Sequence, residues 1–245
     1  MTEQGPARWV VTGGSRGIGA AIVAAAAQAG DHVAVLSRSV EPGEEVSSSG
    51  ARMLRVRADV ADPASLAEAA RAVTDAWGGV DVLVNNAGVH RGGKLSGLDR
   101  EAFLEVIATN LVGPFDTIQA FLPSMADGSA IVNIGAVVGL RGFPGDVPYA
   151  SAKAGLTGLT LALAMELAPR SITVNVVVPG FTATEMTAGL SERARESILG
   201  RIPMRREAAA SEVADVVRRV AASTYMTGAV VPVDGGLMAA LGSAR

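Results

Sequence analysis

Two side chains that can exchange and hold a proton, Tyr149 and Lys153, lie four residues apart. The run 150–168 has the composition of a helix, and residues at i and i+4 share one helix face. The Lys153 ammonium is therefore expected near the Tyr149 hydroxyl, where a fixed cation favours the phenolate and lowers the phenol pKa from about 10. Such a phenol is suited to general acid or base catalysis on a carbonyl or an alcohol. A surface tyrosine beside a solvated lysine is the alternative.

The composition of the 245-residue chain limits the chemistry that this pair can serve. Apolar residues make up 49% and charged residues 18%, which indicates a globular core. The absence of cysteine excludes thiolate catalysis, and with only His32 and His90 no metal site is expected. The net charge is −3 without a basic run, so neither nucleic acid nor membrane is an expected partner. Because the N-terminus shows no signal-peptide pattern, a cytoplasmic enzyme is predicted.

A glycine-rich loop at 13–19 joins a predicted strand, 8–12, to an alanine-rich predicted helix, 20–29. Glycine lets the backbone approach a diphosphate, and a helix N-terminus supplies free N–H donors with a positive dipole end. The spacing is Thr-Gly-x-x-x-Gly-x-Gly rather than Gly-x-Gly-x-x-Gly. By itself, this pattern indicates a phosphate site no more strongly than a plain strand–helix turn.

The residues after the second predicted strand, 32–36, bear on which dinucleotide the loop would bind. In a dinucleotide fold this strand end faces the adenosine ribose. An acid here would bond both ribose hydroxyls and repel a 2′-phosphate, but the chain has Ser37 and Arg38, with Ser15 and Arg16 in the adjoining loop. Arginine pairs well with phosphate, which favours NADP over NAD. Two solvated surface arginines are the alternative.

The rest of the chain alternates between strand and helix patterns, which predicts a parallel, doubly wound α/β sheet covered on both faces. Further strands are predicted at 53–56, 80–84, 130–134, 172–178 and 230–233, and helices at 62–77, 99–121 and 212–222. Segment 41–50 is expected to be a loop or a short helix. Residues 181–210 are expected to form a substrate-side lid that begins with a mobile helix pair. A single Rossmann domain with seven parallel strands is therefore predicted for residues 1–245.

Asparagines mark two further positions of interest. The segment 85–88, Asn-Asn-Ala-Gly, ends the fourth predicted strand, where it would fix the loop below and leave small residues against a flat ligand. Asn110 interrupts the predicted helix 99–121, and a buried asparagine usually bonds something. The Asn110 side chain is expected to hold a water near Lys153 once the helices pack, and Gly113 and Pro114 predict a local distortion that frees a backbone carbonyl for that water. A structural asparagine that bridges helix and sheet is the alternative.

Taken together, these features resemble the classical short-chain dehydrogenase/reductase family over nearly the whole chain. The shared motifs, in family order and spacing, are Thr12-Gly13-x-x-x-Gly17-x-Gly19, Asn85-Asn86-Ala87-Gly88, Asn110, Tyr149-x-x-x-Lys153 and Pro179-Gly180. Agreement of all five by chance is negligible. The sequence is most similar to the 3-oxoacyl-acyl-carrier-protein reductase and polyketide ketoreductase branch, in segments 15–19, 135–139, 174–177, 179–181 and 225–228.

The resemblance implies a role for each motif. Tyr149 would exchange the proton at the substrate oxygen, and Lys153 would lower the tyrosine pKa and bond the nicotinamide ribose. Asn110 would hold a proton-relay water, Asp59 would read the adenine amino group, and Thr182 would lie near the carboxamide. The residues implied to bind NADP(H) are Gly13, Ser15, Arg16, Gly17, Ile18, Gly19, Ser37, Arg38, Asp59, Val60, Asn86, Ala87, Gly88, Tyr149, Lys153, Pro179, Gly180 and Thr182.

The same resemblance implies the reaction and the assembly. The pro-S hydride of NADPH would pass to the ketone carbon of a 3-oxoacyl thioester or a polyketide-type carbonyl. The protein would be a homotetramer with the helices 99–121 and 150–168 at an interface. A mostly apolar wall fits a non-sugar substrate, although ordinary core gives the same pattern. The residues of this wall are Val137, Val138, Leu140, Phe143 and Met186.

One position departs from the family pattern. The family's catalytic serine lies thirteen residues before the tyrosine, and that position is Ala136 here. Losing one preorganised donor costs about 2.7–4 kcal/mol of transition-state stabilisation, or roughly 10²–10³ in rate. Three hypotheses follow. The alanine is a deliberate knockout of an ordinary reductase, or it is native and Tyr149 alone or a substrate hydroxyl completes the site. In the third, the protein has lost turnover and retains NADP binding as a sensor or scaffold.

Overall fold

The centre of the structure, a computed structural model that describes residues 5–240, is an eight-stranded sheet. In chain order the strands are β1 (Arg8–Thr12), β2 (His32–Ser37), β3 (Gly43–Val46), β4 (Arg52–Arg57), β5 (Val80–Asn85), β6 (Met125–Ile134), β7 (Thr173–Pro179) and β8 (Val230–Val233). Their spatial order is β3-β4-β2-β1-β5-β6-β7-β8. Seven of these strands are parallel, which confirms the predicted α/β class. Residues 1–4 of the predicted polar N-terminus lie outside the described part of the chain.

Helices cover both faces of the sheet. They are α1 (Gly17–Gln28), α2 (Pro63–Trp77), α3 (Arg100–Ile107), α4 (Gly113–Phe121), α5 (Val138–Arg141), α6 (Val147–Leu167), α7 (Glu185–Ala188), α8 (Glu192–Leu199) and α9 (Ala210–Ala221). Along β1, Trp9 and Val11 pack in the layer with α1 and α9, whereas Val10 packs with α2, α4 and α6. Successive strand residues point to opposite faces, so one short apolar run serves both layers. Within residues 5–240, no helix combines the length and hydropathy needed to cross a bilayer.

The edge strand β3 corrects the prediction for segment 41–50, which was a loop or a short helix. It pairs antiparallel with β4, and the sheet therefore has an eighth strand beyond the seven predicted. Ion pairs join the two strands, from Arg52 to Glu44 at 2.6 Å and from Arg55 to Glu45 at 3.2 Å. All four residues of β3 are exposed, so no alternation of apolar and polar residues marks the strand in the sequence. Cross-strand pairing decides its conformation instead.

The predicted helix 99–121 is interrupted where the distortion was predicted. A π-helical segment, Ala108–Val112, separates α3 from α4. The Gly113 N–H donates to the Ala108 carbonyl, five residues back. Pro114 has no N–H to offer the Asn110 carbonyl, its partner in a regular α-helix. Insertions of this kind are frequent at functional sites, and this one lies in the middle of the chain's candidate site.

Candidate active site

The predicted motifs lie together at the carboxyl edge of the sheet. Four parallel strands end there, at Thr12, Asn85, Ile134 and Pro179. The glycine loop, the 85–88 segment, Ala136 and the 180–182 segment directly follow these strand ends. Ligands of open α/β sheets bind at this edge, so the topology gathers residues from distant parts of the sequence into one site.

The glycine loop is closed against the 85–88 segment. Gly13 has a φ of +64°, and a Cβ built on it would lie 2.8 Å from the Ala87 Cα. A Cβ on Gly19 would lie 2.3 Å from the Gly13 carbonyl oxygen, so both positions require glycine. The helix α1 that follows has no side-chain cap, because Arg16 at its N-cap makes no hydrogen bond to it. Its first N–H groups therefore point into the site without a side-chain acceptor.

Asn86 holds the loop in this closed arrangement. Its Nδ2 donates to the Thr12 carbonyl at 3.0 Å and to the Gly13 carbonyl at 3.1 Å. The Thr12 hydroxyl in turn accepts from the backbone N–H groups of Asn86 and Ala87, both at 3.0 Å. Asn86 therefore fixes the loop beside it, as predicted for the asparagine pair, whereas Asn85 Nδ2 donates to Asn133 Oδ1 at 2.9 Å instead of to the loop. The small residues Ala87 and Gly88 come next in the chain, and Ala87 lies against Gly13.

Hydroxyl and guanidinium groups converge at the end of β2. The hydroxyls of Ser15 and Ser37 lie 3.1 Å apart, and Arg38 Nη1 lies 3.9 Å from Asp59 Oδ2. Arg16, in the loop, lies 3.8 Å from a carboxylate oxygen of α7. Both arginine side chains are largely exposed, and ion pairs of this kind contribute about 1 kcal/mol or less. They would exchange these partners for a phosphate at little cost.

Tyr149 and Lys153 lie on one face of α6, as predicted. Lys153 Nζ is 5.6 Å from the centroid of the Tyr149 ring. The lysine is 4% exposed, and its Nζ donates to the Ile134 carbonyl at 2.7 Å. A surface tyrosine beside a solvated lysine is therefore wrong. A buried ammonium fixed next to a partly buried phenol is the arrangement observed.

The prediction that Lys153 lowers the pKa of Tyr149 is wrong for the protein chain alone. Burial raises the pKa of Tyr149 to about 12, and the negative charge of Asp146 adds to this effect. Burial also lowers the pKa of Lys153 to about 8. Loss of solvent disfavours the charged form of both groups, and the lysine directs its N–H at a backbone carbonyl instead of at the phenol. The sequence shows the proximity of the two groups but not the depth of their burial.

Asn110 is fully buried and its side chain is bonded to protein. Nδ2 donates to the carbonyls of Val89 at 2.8 Å and Val106 at 2.9 Å, and Oδ1 accepts from the Val89 N–H at 3.2 Å. A Cβ on Gly88 would lie 2.5 Å from this Oδ1. The side chain therefore ties the interrupted helix to the loop after β5, which matches the structural alternative. The Asn110 backbone carbonyl remains the candidate for holding a water.

The other predicted cofactor residues lie at the same edge with different exposure. Val60 is buried, and a Cβ on Gly113 would lie 3.1 Å from its Cγ2. Thr182 is 4% exposed, and its hydroxyl donates to the Gly180 carbonyl at 3.2 Å. Ile18 packs partly buried in the α1–α9 layer. Buried or internally bonded side chains leave backbone atoms as the groups through which Val60 and Thr182 can meet a ligand.

The residues of the predicted apolar wall differ in their exposure. Val137 is buried core at 7% exposure, whereas Leu140, Phe143 and Met186 are exposed at 38%, 43% and 53%. The Phe143 ring lies under the guanidinium of Arg201, 5.8 Å from its centroid, and so touches the segment after α8. These exposed side chains, rather than Val137, are the ones available to an apolar substrate.

Sequence reasoning missed two charged residues beside Tyr149. His90 Nε2 is 2.8 Å from Asp146 Oδ1, and the His90 and Tyr149 rings meet edge to face, with centroids 5.2 Å apart. In the sequence, His90 stood out only as a possible metal ligand. The two partners are 56 residues apart, which no local pattern reveals. The one available signal was the position of Asp146, one turn before Tyr149 at the start of a helix.

A parallel Rossmann-type sheet with a glycine loop, an Asn-Asn-Ala-Gly segment and a buried Tyr–Lys pair defines the class of protein. The chain belongs to the short-chain dehydrogenase/reductase family of oxidoreductases. The matching family model, described as enoyl-(acyl carrier protein) reductase, spans residues 13–238. Among curated relatives, 3-oxoacyl-[acyl-carrier-protein] reductase FabG of Staphylococcus aureus is 39% identical over 93% of this chain and 96% of its own. Carbonyl reductase family member 4 of Danio rerio is 41% identical with the same coverage.

Solved structures agree with this assignment. A blue fluorescent protein from a metagenomic library, in complex with NADPH, superposes with a TM-score of 0.86 and 35% identity. The match covers 95% of this chain and 98% of that protein. A mutant short-chain dehydrogenase/reductase of Serratia marcescens gives a TM-score of 0.86 and 36% identity, with 96% and 98% coverage.

Proposed function

We propose that the protein reduces a ketone to an alcohol with NADPH, and that Tyr149 donates the proton. The observation that carries this proposal is the Tyr149–Lys153 pair at the sheet edge where the glycine loop begins α1. The names of relatives that reduce 3-oxoacyl groups or carbonyls support a 3-oxoacyl thioester or polyketide-type ketone as substrate. A screen of 3-oxoacyl and aromatic polyketide ketones with NADPH and NADH, followed at the nicotinamide absorbance, tests it.

The residues at the sheet edge fit a dinucleotide. Gly13 and Gly19 let the loop fold closely against the 85–88 segment, and the uncapped N–H groups at the start of α1 are available to a diphosphate. Arg38 and Ser37 are available to a 2′-phosphate. NADPH, when bound, supplies the hydride for the carbonyl carbon. The NADPH complex of a structural relative supports the same cofactor.

The pKa values suit the reductive direction. A phenol with a pKa of about 12 is protonated at neutral pH, so Tyr149 starts in the state that a proton donor requires. As the proton passes to the carbonyl oxygen, the developing phenolate is stabilised by the Lys153 ammonium, which with a pKa of about 8 is still charged at pH 7. The alcohol leaves with one hydrogen from the cofactor and one from the phenol. Oxidation would need the phenolate first, and the protein disfavours it.

The segment 181–210 is proposed to close over the ketone as a lid. Its two ends are tied together, because the Ala183 N–H donates to the Ala208 carbonyl and the Ala208 N–H to the Phe181 carbonyl, both at 2.9 Å. The excursion between these ties contains α7 and α8 and carries the exposed Met186. A segment whose two ends are hydrogen-bonded to each other, and which carries an exposed apolar side chain between them, is suited to close over an apolar substrate.

The preference for NADPH is expected to depend on Arg38. Arg38→Ala should weaken NADPH binding about tenfold to a hundredfold and leave NADH binding nearly unchanged, because a hydrogen bond to a charged group is worth about 1.5–3 kcal/mol. Titration of nicotinamide fluorescence measures both dissociation constants. The matched control is Arg52→Ala, which removes a partly exposed arginine of β4 that pairs with Glu44 of β3. Equal weakening of both cofactors would contradict a 2′-phosphate contact.

A homotetramer built through α3–α4 and α6 is the proposed assembly. Large apolar side chains stand exposed on these helices; they are Leu104, Val112, Phe115, Leu161 and Met165, the last at 80%. Exposed apolar residues that gather on the same helices are typical of a protein–protein interface. Phe115→Glu and Met165→Glu should each reduce the particle mass in sedimentation velocity, since an unpaired charge at an apolar interface is unfavourable. Leu95→Glu, exposed elsewhere, is the control. A monomeric parent protein would refute the assembly.

A non-catalytic NADP-binding protein is the second candidate function. Ala136 favours it, because the position that carries the family's donor hydroxyl cannot donate here. Both candidates bind the cofactor, so binding does not separate them. Turnover of a ketone does, and the screen above decides between them.

A further inference from the structure

A histidine and a carboxylate that are bonded to each other lie beside the ring of Tyr149. Asp146 directly precedes α6, and its carboxylate accepts from His90 Nε2 at 2.8 Å. The His90 ring meets the Tyr149 ring at 74°, with centroids 5.2 Å apart. Asp146 is 19% exposed and His90 39%, so the pair is partly shielded and still reachable by protons from solvent.

The backbone holds this pair in place. The Gly93 N–H donates to the Gly145 carbonyl at 2.8 Å, which joins the loop after β5 to the turn before α6. A Cβ on Gly92 would lie 3.2 Å from both Asp146 Oδ1 and the His90 ring, and 2.9 Å from the Gly145 carbonyl oxygen. The approach of the two segments therefore depends on the absence of a side chain at residue 92. The ion pair is a built feature of the site and not a chance surface contact.

The charges around the phenol act in opposite directions. The Lys153 ammonium, 5.6 Å from the Tyr149 ring centroid, favours the phenolate, while the Asp146 carboxylate disfavours it. The hydrogen bond to Asp146 raises the pKa of His90 above its usual 6.5, although burial and the neighbouring Arg91 oppose this. Arg91 is itself paired with Glu105, 3.2 Å away. Protonated His90 is thus the group that neutralises the carboxylate whose charge disfavours the phenolate.

We propose that His90 and Asp146 are positioning residues that set the acidity of Tyr149 by charge, at a site where Ala136 offers no hydroxyl. While His90 is protonated, the pair is neutral and the phenol can release its proton to the ketone oxygen. When His90 loses its proton, the bare carboxylate opposes the developing phenolate. Proton donation by Tyr149 is therefore coupled to the protonation of His90. This inference deepens the proposed ketone reduction and relies on it only for the kinetic readout.

The phenol itself provides a test that needs no substrate. The chain has two tyrosines, and Tyr225 is fully exposed, so a Tyr225→Phe background leaves Tyr149 as the single phenol. In that background, the ¹³C shift of the labelled Tyr149 ring reports its ionisation. Asp146→Asn should lower the Tyr149 pKa from about 12 toward the ordinary value of about 10. An unchanged Tyr149 titration in Asp146→Asn would overturn the proposal whatever the enzyme reduces.

The kinetic test relies on the opposite effects that the two single variants should have on the rate of ketone reduction. For ketone reduction in the parent protein, the rate should fall as pH rises through the raised pKa of His90. His90→Gln should be slow even at pH 6, by about threefold to tenfold, because Asp146 is never neutralised. Asp146→Asn should stay fast on both sides of that pKa. All three proteins should share a further decline near pH 8, where Lys153 loses its charge.

The double variant separates charge from structure. Once Asp146→Asn has removed the carboxylate, the His90 charge has nothing to neutralise, so His90→Gln with Asp146→Asn should recover the rate of Asp146→Asn alone. A merely structural hydrogen bond predicts that both single variants are slow at every pH and that the double variant is no faster. That outcome would refute the proposal. If the parent protein reduces no ketone, the proposed function fails, while the Tyr149 titration still decides whether the Asp146 charge sets the acidity of the phenol.

Discussion

Tyr149→Phe is expected to slow ketone reduction about 10²–10⁴-fold, the usual contribution of a positioned proton donor. The substitution removes the hydroxyl and keeps the ring that packs against His90 and lies over Lys153 Nζ. Because the glycine loop and the end of β2 are untouched, NADPH binding should weaken far less than turnover, by no more than the loss of one Tyr149 hydroxyl contact. Steady-state turnover and nicotinamide fluorescence, measured on the same preparation, separate the two effects.

Tyr225→Phe is the matched control for this loss. It removes the other phenol of the chain, which is fully exposed, and it should leave both turnover and binding unchanged. Tyr149→Phe with parent-like turnover would refute Tyr149 as the proton donor. Loss of NADPH binding together with turnover would instead indicate that the substitution disturbed the fold of the site.

Ala136→Ser is expected to raise the rate of ketone reduction about 10²-fold, the lower part of the range for one preorganised donor. Residue 136 follows β6 and is partly buried, in the turn that leads into α5. The Ala136 carbonyl accepts the Gly139 N–H at 3.0 Å, so the turn forms without a serine hydroxyl at this position. The added Oγ should supply a second donor at the ketone oxygen, and kcat with NADPH and a reactive ketone measures the gain.

The control for this gain is Ala136→Cys, which adds a side chain of similar size with a weak donor. It should change turnover little. An Ala136→Ser protein no faster than the parent would contradict an ordinary reductase that lacks one donor. In that case the turnover of the parent protein decides between the two other hypotheses. Measurable turnover indicates a native site completed by Tyr149 alone or by a substrate hydroxyl, and the absence of turnover indicates a protein that only binds NADP.

Much of the scaffold was readable from local sequence. Short apolar runs predicted seven of the strands, because buried parallel strands need apolar side chains on both faces. Asp62 was predicted to begin a helix with Pro63 in its first turn, and its Oδ1 does accept the Ala64 N–H at 3.0 Å. Gly113 and Pro114 predicted the interruption of the helix 99–121, since proline removes an N–H from the ladder. Each of these signals acts over a few residues of chain.

The same local rules placed Tyr149 and Lys153 together, but only the folded chain decided their pKa values. Proximity on a helix predicts an attraction between the lysine and the phenolate, whereas depth of burial decides whether either charge is favourable. Burial depends on β6, on α5 and on the loop after β5, which the sequence around Tyr149 does not contain. The predicted direction of the Tyr149 shift was therefore wrong, although the contact was right.

By itself, then, the sequence determined the order of strands and helices, the glycine loop and the face that carries Tyr149 and Lys153, because period and spacing belong to single elements. The tertiary structure decided which charges surround the phenol. It made β3 an edge strand by pairing it with β4, and it bound Asn110 to Val89. It also set His90 beside Asp146, 56 residues away along the chain. Hydrogen bonds and desolvation act between segments that only folding brings together, so no pattern along the chain encodes them.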